Sequence, residues 1–268
     1  MQTLPIFDTL PELRARLDAS AVVVLQAPPG AGKTTAVPPA LLDAPWLAGR
    51  SILLLEPRRL AARAAAARMA ETFGEPVGAT VGYRIRFETK VSARTRIEVV
   101  TEGILTRQLQ SDPSLENVGL VIVDEFHERH LQTDLGLALT LDSRRVLRPD
   151  LKILIMSATL DGAGIAKLLN APLVAGSGRA FPVTLRYVAP AAESSIADRV
   201  VPVVRQALAA ESGDVLVFLP GAGEIRRAQS LLADLGAEID IDPLYGDLSW
   251  EQQDRALRPI LQIGRAHV

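Results

Sequence analysis

The chain has 268 residues, 48% of them hydrophobic, with a formal net charge of −2 and a pI of about 6.0. That length supports one large domain or two smaller ones with real cores, and the charge excludes a globally basic nucleic-acid binder, leaving a local patch for such a partner. The absence of cysteine excludes disulfides and thiolate metal sites, and the spacing of His127, His130 and His267 suggests no histidine-based zinc cage.

The N-terminal stretch "MQTLPIFDTLPELRARL" carries early acids and lacks the apolar run of a signal peptide. No stretch approaches a membrane span, so a cytoplasmic protein without a membrane partner is expected. The first predicted strand, Ala21–Leu25, leads into "QAPPGAGKTT" and then a helix. Apart from Ala27 at the first glycine position, this is the pattern G-x-x-x-x-G-K-[ST] in the strand–loop–helix setting it requires. The main chain through Gly30, Ala31 and Gly32 can turn its amides inward, and the helix N-terminus adds a favourable field for anionic phosphate. Lys33 reaches the β- and γ-phosphates in this reading, Thr34 ligates Mg²⁺ and Thr35 touches the α-phosphate. The competing reading, a helix-capping Gly/Pro turn, explains neither the lysine nor the paired hydroxyls.

Further strands are expected at Ser51–Glu56, Thr95–Val100, Leu120–Val123 and Lys152–Met156, with helices at Arg58–Thr72 and Glu128–Leu147. The continuous apolar runs "LVIVDE" and "ILIMSAT" suit strands buried on both faces. Alternating strands and helices mean a parallel sheet covered on both sides, an α/β fold. Asp124 and Glu125 follow a buried strand, at the sheet end expected to share a crevice with the phosphate loop. There Asp124 holds Mg²⁺, Glu125 orients and deprotonates the attacking water, and His127 passes nucleotide state to a neighbouring segment. A solvated acidic turn capping the next helix is the alternative for the pair taken alone. Ser157 and Thr159, by themselves, read as simple caps.

A break falls in "PLVAGSGRAFPV", Pro172–Val183, where Gly, Ser and Pro cluster. Strands at Thr184–Val188, Asp214–Leu219 and Glu238–Asp242 are expected beyond it, too few for a complete doubly wound domain. The expected division is a first domain over 1–175, a linker over 176–183, a partial second domain over 184–262, and a tail over 263–268.

The order of "APPGAGKTT", "EPRRLAARAAAARMA", "VGYRIRFE", "TEGIL", "DEFHERH", "SATL", "GRAFPV" and "FLPGAGEI" resembles the DEAH-box group of superfamily-two RNA helicases. The resemblance runs from about Leu4 to Ile260. It implies a RecA-like P-loop NTPase domain with a parallel sheet followed by an incomplete second RecA-like domain, an ATP-dependent activity, and RNA as partner. Single-stranded DNA and nucleoside triphosphates other than ATP stay open. By motif, Ser157 and Thr159 couple hydrolysis to domain movement, and Arg68 stacks on the nucleotide base. Pro57, Arg58 and Arg59, with Thr101, Glu102 and Gly103, track the RNA backbone, and Arg84 and Arg86 add phosphate contacts. All but four of the 29 basic residues are arginine, and those at 58, 59, 84 and 86 concentrate charge in a near-neutral chain. A solvated helix face is the alternative for each of them.

The family's later motifs, with their arginine fingers, have no match here. The sequence as written is therefore expected to bind Mg-ATP, to hydrolyse it slowly and not to unwind a duplex. The ending "QIGRAHV" can be encoded by CAG ATC GGA AGA GCA CAC GTC, a string similar to the start of a common sequencing adapter. Ile263–Val268 are accordingly expected to be non-native. Two other functions compete: a P-loop ATPase that remodels a partner other than nucleic acid, and a non-enzymatic nucleotide-dependent scaffold that would tolerate Glu125→Gln.

Overall fold

A computed structural model describes residues 4–158, 162–178, 182–189, 194–235, 239–257 and 265–267. The chain divides into two compact units at Phe181/Pro182. In the first, a 3-10 turn at Pro5–Thr9 precedes α1 (Leu10–Ala19), β1 (Val22–Gln26), α2 (Lys33–Leu41), β2 (Ser51–Leu55) and α3 (Arg59–Thr72). A hairpin of β3 (Val81–Ile85) and β4 (Glu88–Lys90) follows, then β5 (Ile97–Val100), α4 (Glu102–Ser111) and β6 (Val118–Val123). After a 3-10 turn at Phe126–Glu128 come α5 (Leu131–Val146), β7 (Lys152–Ser157), α6 (Gly162–Leu168) and β8 (Leu173–Ala175).

These eight strands form one sheet in the order β4-β3-β5-β2-β6-β7-β1-β8, parallel throughout except for β4 against β3. The alternation of side chains along each strand divides the core in two. Val23, Leu25, Ile52, Leu54, Leu120 and Ile122 face Leu13 and Leu17 of α1, Val37 and Leu41 of α2, and the alanines of α3. Val24, Leu53, Leu55, Val121, Val123 and Ile153 face Leu105 and Leu109 of α4, Leu137 of α5 and Ile165 of α6. Burial on both faces is why the strands read as unbroken apolar runs.

The register decides what meets at the strand ends. Gln26 pairs with Ser157, Leu55 pairs with both Val100 and Val123, and Val123 pairs with Ile155. The residues that follow, Ala27, Glu56, Thr101, Asp124 and Ala158, therefore emerge along one edge of the sheet.

The second unit contains α7 (Ile196–Ala210), β9 (Val215–Leu216), α8 (Ala222–Leu232), β10 (Asp240–Asp242), α9 (Trp250–Leu257) and β11 (Arg265–His267). Ser195 caps α7 reciprocally with Asp198. Ala197, Val204, Ile225, Ala228 and Leu232 form its core. The expected strand at Thr184–Val188 is absent: residues 182–189 make no strand pairing, and Leu185 and Tyr187 are exposed. Its β-branched and aromatic residues have the propensity but no partner edge. Asp214–Leu219 narrows to β9, and Glu238–Asp242 to β10, with Glu238 outside the described residues. Arg265–His267, within the tail set aside above, pair in parallel between β10 and β9. That contact is made by main chain, which any sequence supplies, and it carries no information on the tail's origin.

Candidate functional site

The phosphate loop leaves β1 at Gln26, and the Ala27 N–H donates to Ser157 O across to β7 at 3.1 Å. Ala27, at the first glycine position of the pattern, is fully buried, so a small side chain fits there. Gly30 and Gly32 have φ of 76° and 93°, the left-handed region. A Cβ on Gly32 would lie 2.7 Å from Leu4 Cδ1, the movable end of an exposed side chain, so it is the conformation that calls for glycine here. Lys33 opens α2 and is buried, and its Nζ donates to Ala27 O at 2.5 Å and Pro28 O at 3.2 Å. Burial lowers its pKa, against the pull of the Asp124 and Glu125 charges.

Asp124 leaves β6 one strand beyond β7 and is completely buried. Its Oδ2 accepts the Thr34 hydroxyl at 2.5 Å and its Oδ1 accepts the Glu125 N–H at 2.8 Å. Burial pushes its pKa up to about 6, the Thr34 hydrogen bond opposing and the Glu125 charge adding to the rise. Glu125 and Arg129, at φ of 49° and 53°, bracket the 3-10 turn. Two non-glycine residues in the left-handed region hold backbone strain of about 1–3 kcal/mol each, which the surrounding packing has to maintain. His127 Nδ1 lies 3.3 Å from Glu125 Oε2 and accepts the Ala158 N–H at 3.3 Å, which links the acidic turn to the end of β7. Ser157 is fully buried in β7, and Thr159 lies outside the described residues.

Thr34, Thr35, Glu125 and Glu128 line a depression of about 470 Å³ together with Ala61, Ala64, Ala65 and Arg68 of α3. Those last four sit at i, i+3, i+4 and i+7, one helical face. Three methyl groups in a row leave a shallow wall with the exposed Arg68 guanidinium at its rim, 3.3 Å from Glu71. Nothing in the sequence pattern beyond helix propensity marks these alanines. Glu56, which no motif marks, closes the same depression at the end of β2. Burial, then the Asp124 charge, pushes Glu56 up to about 8, while the Arg58 N–H at 3.4 Å opposes the shift.

A second, larger groove of about 950 Å³ gathers Pro57, Arg59, Arg84, Arg86, Thr101, Glu102 and Gly103. Arg107 of α4 and Phe87 join them. Arg86 and Phe87 form the two-residue turn between β3 and β4. Phe87 has φ of 69° and is 87% exposed, with the Arg86 guanidinium 4.6 Å above its ring. An aromatic directly after two alternating arginines in "RIRFE" was the available sign. Arg84 is paired with Glu98 at 2.8 Å. Arg58 lines the depression beside the phosphate loop instead and pairs with Glu128. Successive residues at a strand-to-helix turn point to different sides, which sequence adjacency conceals.

A family model described as DEAD/DEAH box helicase matches residues 10–168. The ATP-dependent RNA helicase HrpB of Escherichia coli is 52% identical over 264 residues, covering 98% of this chain and 32% of its own length. An ATP-dependent RNA helicase HrpA homolog of Haemophilus influenzae is 36% identical over 96% of this chain and 20% of its own. The crystal structure of the Escherichia coli DEAH/RHA helicase HrpB superposes with a TM-score of 0.92 at 51% identity, covering 99% of this chain and 34% of that one. The chain thus spans about a third of the length of HrpB.

Proposed function

This chain belongs to the DEAD/DEAH box helicase family, and on that premise we propose that it carries the nucleotide-binding and part of the RNA-binding machinery of an ATP-dependent RNA helicase. The observation that carries the proposal is the convergence of Lys33 and Thr34 with Asp124, ninety residues apart in sequence and 2.5 Å apart at Thr34 Oγ1–Asp124 Oδ2. The arginine-lined groove opens from the same strand ends, at Pro57 and Thr101.

The donor set fits Mg²⁺. A hydroxyl and a carboxylate, hard oxygen ligands, point at one another, and a magnesium ion takes one or two such protein ligands with the remainder from phosphate and water. Thr34 and Asp124 would hold it, and when bound it neutralises charge developing on the transferred phosphoryl group. Lys33 presents Nζ–H donors for which phosphate oxygens compete with the Ala27 and Pro28 carbonyls. Glu125, held at the lip of the depression by its left-handed backbone, takes the proton of the attacking water. The alanine face of α3 accepts the base, and Arg68 stacks on it through a cation–π contact available to any base. His127, placed between Glu125 and Ala158, reports the state of the acidic turn to the end of β7. Ser157 and Thr159 belong to that coupling segment.

RNA occupies the larger groove through its phosphates at Arg59, Arg84, Arg86 and Arg107, with Phe87 as a stacking surface. Nucleotide and RNA binding are the activities that test this reading most directly. Fluorescent ATP and a fluorescein-labelled oligo(U) should each bind in the presence of Mg²⁺, and Lys33→Ala should weaken the first at least about tenfold while sparing the second. Binding of neither ligand, or nucleotide binding unaffected by Lys33→Ala, would overturn this reading.

A further inference from the structure

The groove and the depression are joined by a chain of side chains that none of the roles above uses. Glu102, at the first position of α4, lines the groove, yet its carboxylate points toward α5 rather than being left for phosphate. Its Oε1 accepts the Thr133 hydroxyl and lies 3.1 Å from His130 Nδ1. On the opposite side of the imidazole, Nε2 lies 3.5 Å from Glu128 Oε2. Glu128 in turn pairs with Arg58, and both of these line the nucleotide-side depression. His130 thus stands between two carboxylates, one belonging to each depression.

An imidazole can donate to both carboxylates at once only when both ring nitrogens carry a proton. A neutral ring presents a lone pair to one of them, which repels that carboxylate. His130 is the N-cap residue of α5 but makes no capping hydrogen bond through its side chain, and it is half exposed. Helix capping and core packing therefore leave its placement unexplained. Glu102 and Glu128 are each largely buried, and each keeps a second partner besides the imidazole, Thr133 for Glu102 and Arg58 for Glu128.

We propose that His130 is a positioning residue that bridges Glu102 and Glu128 and thereby couples occupancy of the RNA groove to the geometry of the acidic turn. The inference rests on the RNA and nucleotide reading given above. RNA phosphate drawn toward Thr101–Gly103 shifts the first turn of α4. Glu102 moves with it, and His130 transmits the displacement to Glu128 and Arg58 at the edge of the nucleotide depression. Coupling between two ligands is reciprocal, so each ligand changes the other's affinity by the same factor.

The test measures oligo(U) affinity with and without saturating Mg-ATPγS, on the wild-type chain and on His130→Ala and His130→Asn. The expected wild-type coupling is at least about fivefold, falling to within twofold of unity in both variants. Affinity for each ligand alone should change less than about twofold, and the melting temperature should stay constant because the side chain is exposed. Coupling retained in His130→Ala, or absent from a wild-type chain that binds both ligands, overturns the proposal while leaving the functional reading intact. A wild-type chain that binds neither ligand overturns both.

Discussion

On the proposed reading, nucleotide binding depends most directly on Lys33. Its ammonium is buried, lowered in pKa and already shared between two loop carbonyls, so it is poised as a donor at fixed position. Charge-assisted hydrogen bonds contribute about 1.5–3 kcal/mol each. Lys33→Ala should therefore weaken Mg-ATP by roughly 10- to 200-fold in a titration calorimeter. Glu125→Gln separates binding from chemistry: nucleotide affinity should persist while any measurable turnover falls by about 10²–10⁴-fold, which a phosphate-release assay checks. Equal turnover would remove Glu125 from the role of base and favour a scaffold. Glu56 makes a pH prediction. Its folded-state pKa of about 8 lies above the ordinary carboxyl value of 4.5. The folded chain thus holds a proton that the unfolded chain loses, and this contribution to stability declines as pH rises from 4.5 to 8. Glu56→Gln keeps the uncharged shape throughout. The variant should match wild type below pH 4.5 and exceed it by on the order of a few kcal/mol at pH 8, as read from urea denaturation across that range.

At the scale of elements, the site is a set of strand-to-helix turns, and each turn has a different tolerance. The turn before α2 needs glycine at position 32 because φ is 93°, in the left-handed region. Gly32→Ala should cost about 1–3 kcal/mol in stability and reduce Mg-ATP affinity as well, since the amides that face phosphate would shift. Loss of stability with nucleotide affinity unchanged would show that the loop is not the phosphate site. Sequence made this turn legible because a single short motif specifies both its conformation and its chemistry. The β3–β4 hairpin was not legible. "VGYRIRFETK" has the alternation of a strand, but it lies between stronger signals, and its two-residue turn carries Arg-Phe instead of the usual Asn-Gly. The resemblance implied RNA phosphate contacts for Arg84 and Arg86. Only the hairpin placed Phe87 beside them at the groove. Phe87→Ala should weaken oligo(U) by about 1–3 kcal/mol without altering the melting temperature, because the ring is exposed.

Over the molecule as a whole, a net charge of −2 coexists with a groove lined by four arginines, so association with RNA should be local and salt-dependent. Three or four phosphate contacts imply a slope of log affinity against log salt of about −2 to −3, at roughly −0.7 per contact for a single strand. Arg86→Ala should make the slope shallower by about one contact, measured as oligo(U) affinity between 50 and 300 mM salt. A slope near zero would argue for a partner other than nucleic acid. Among the described residues, no helix is long and apolar enough to cross a membrane. The sequence by itself determined the α/β class and marked the loop at Gly30–Thr35 and the pair Asp124–Glu125 as site candidates, because apolar strands buried on both faces and a glycine-bound lysine loop are written in consecutive residues. Tertiary structure decided which side each strand-end residue serves. Glu56 became a second buried carboxylate beside Asp124, Arg58 lined the smaller depression with Glu128, and His130 fell between two acids from different turns. Those outcomes depend on strand order and on register between segments tens of residues apart, which no local pattern encodes.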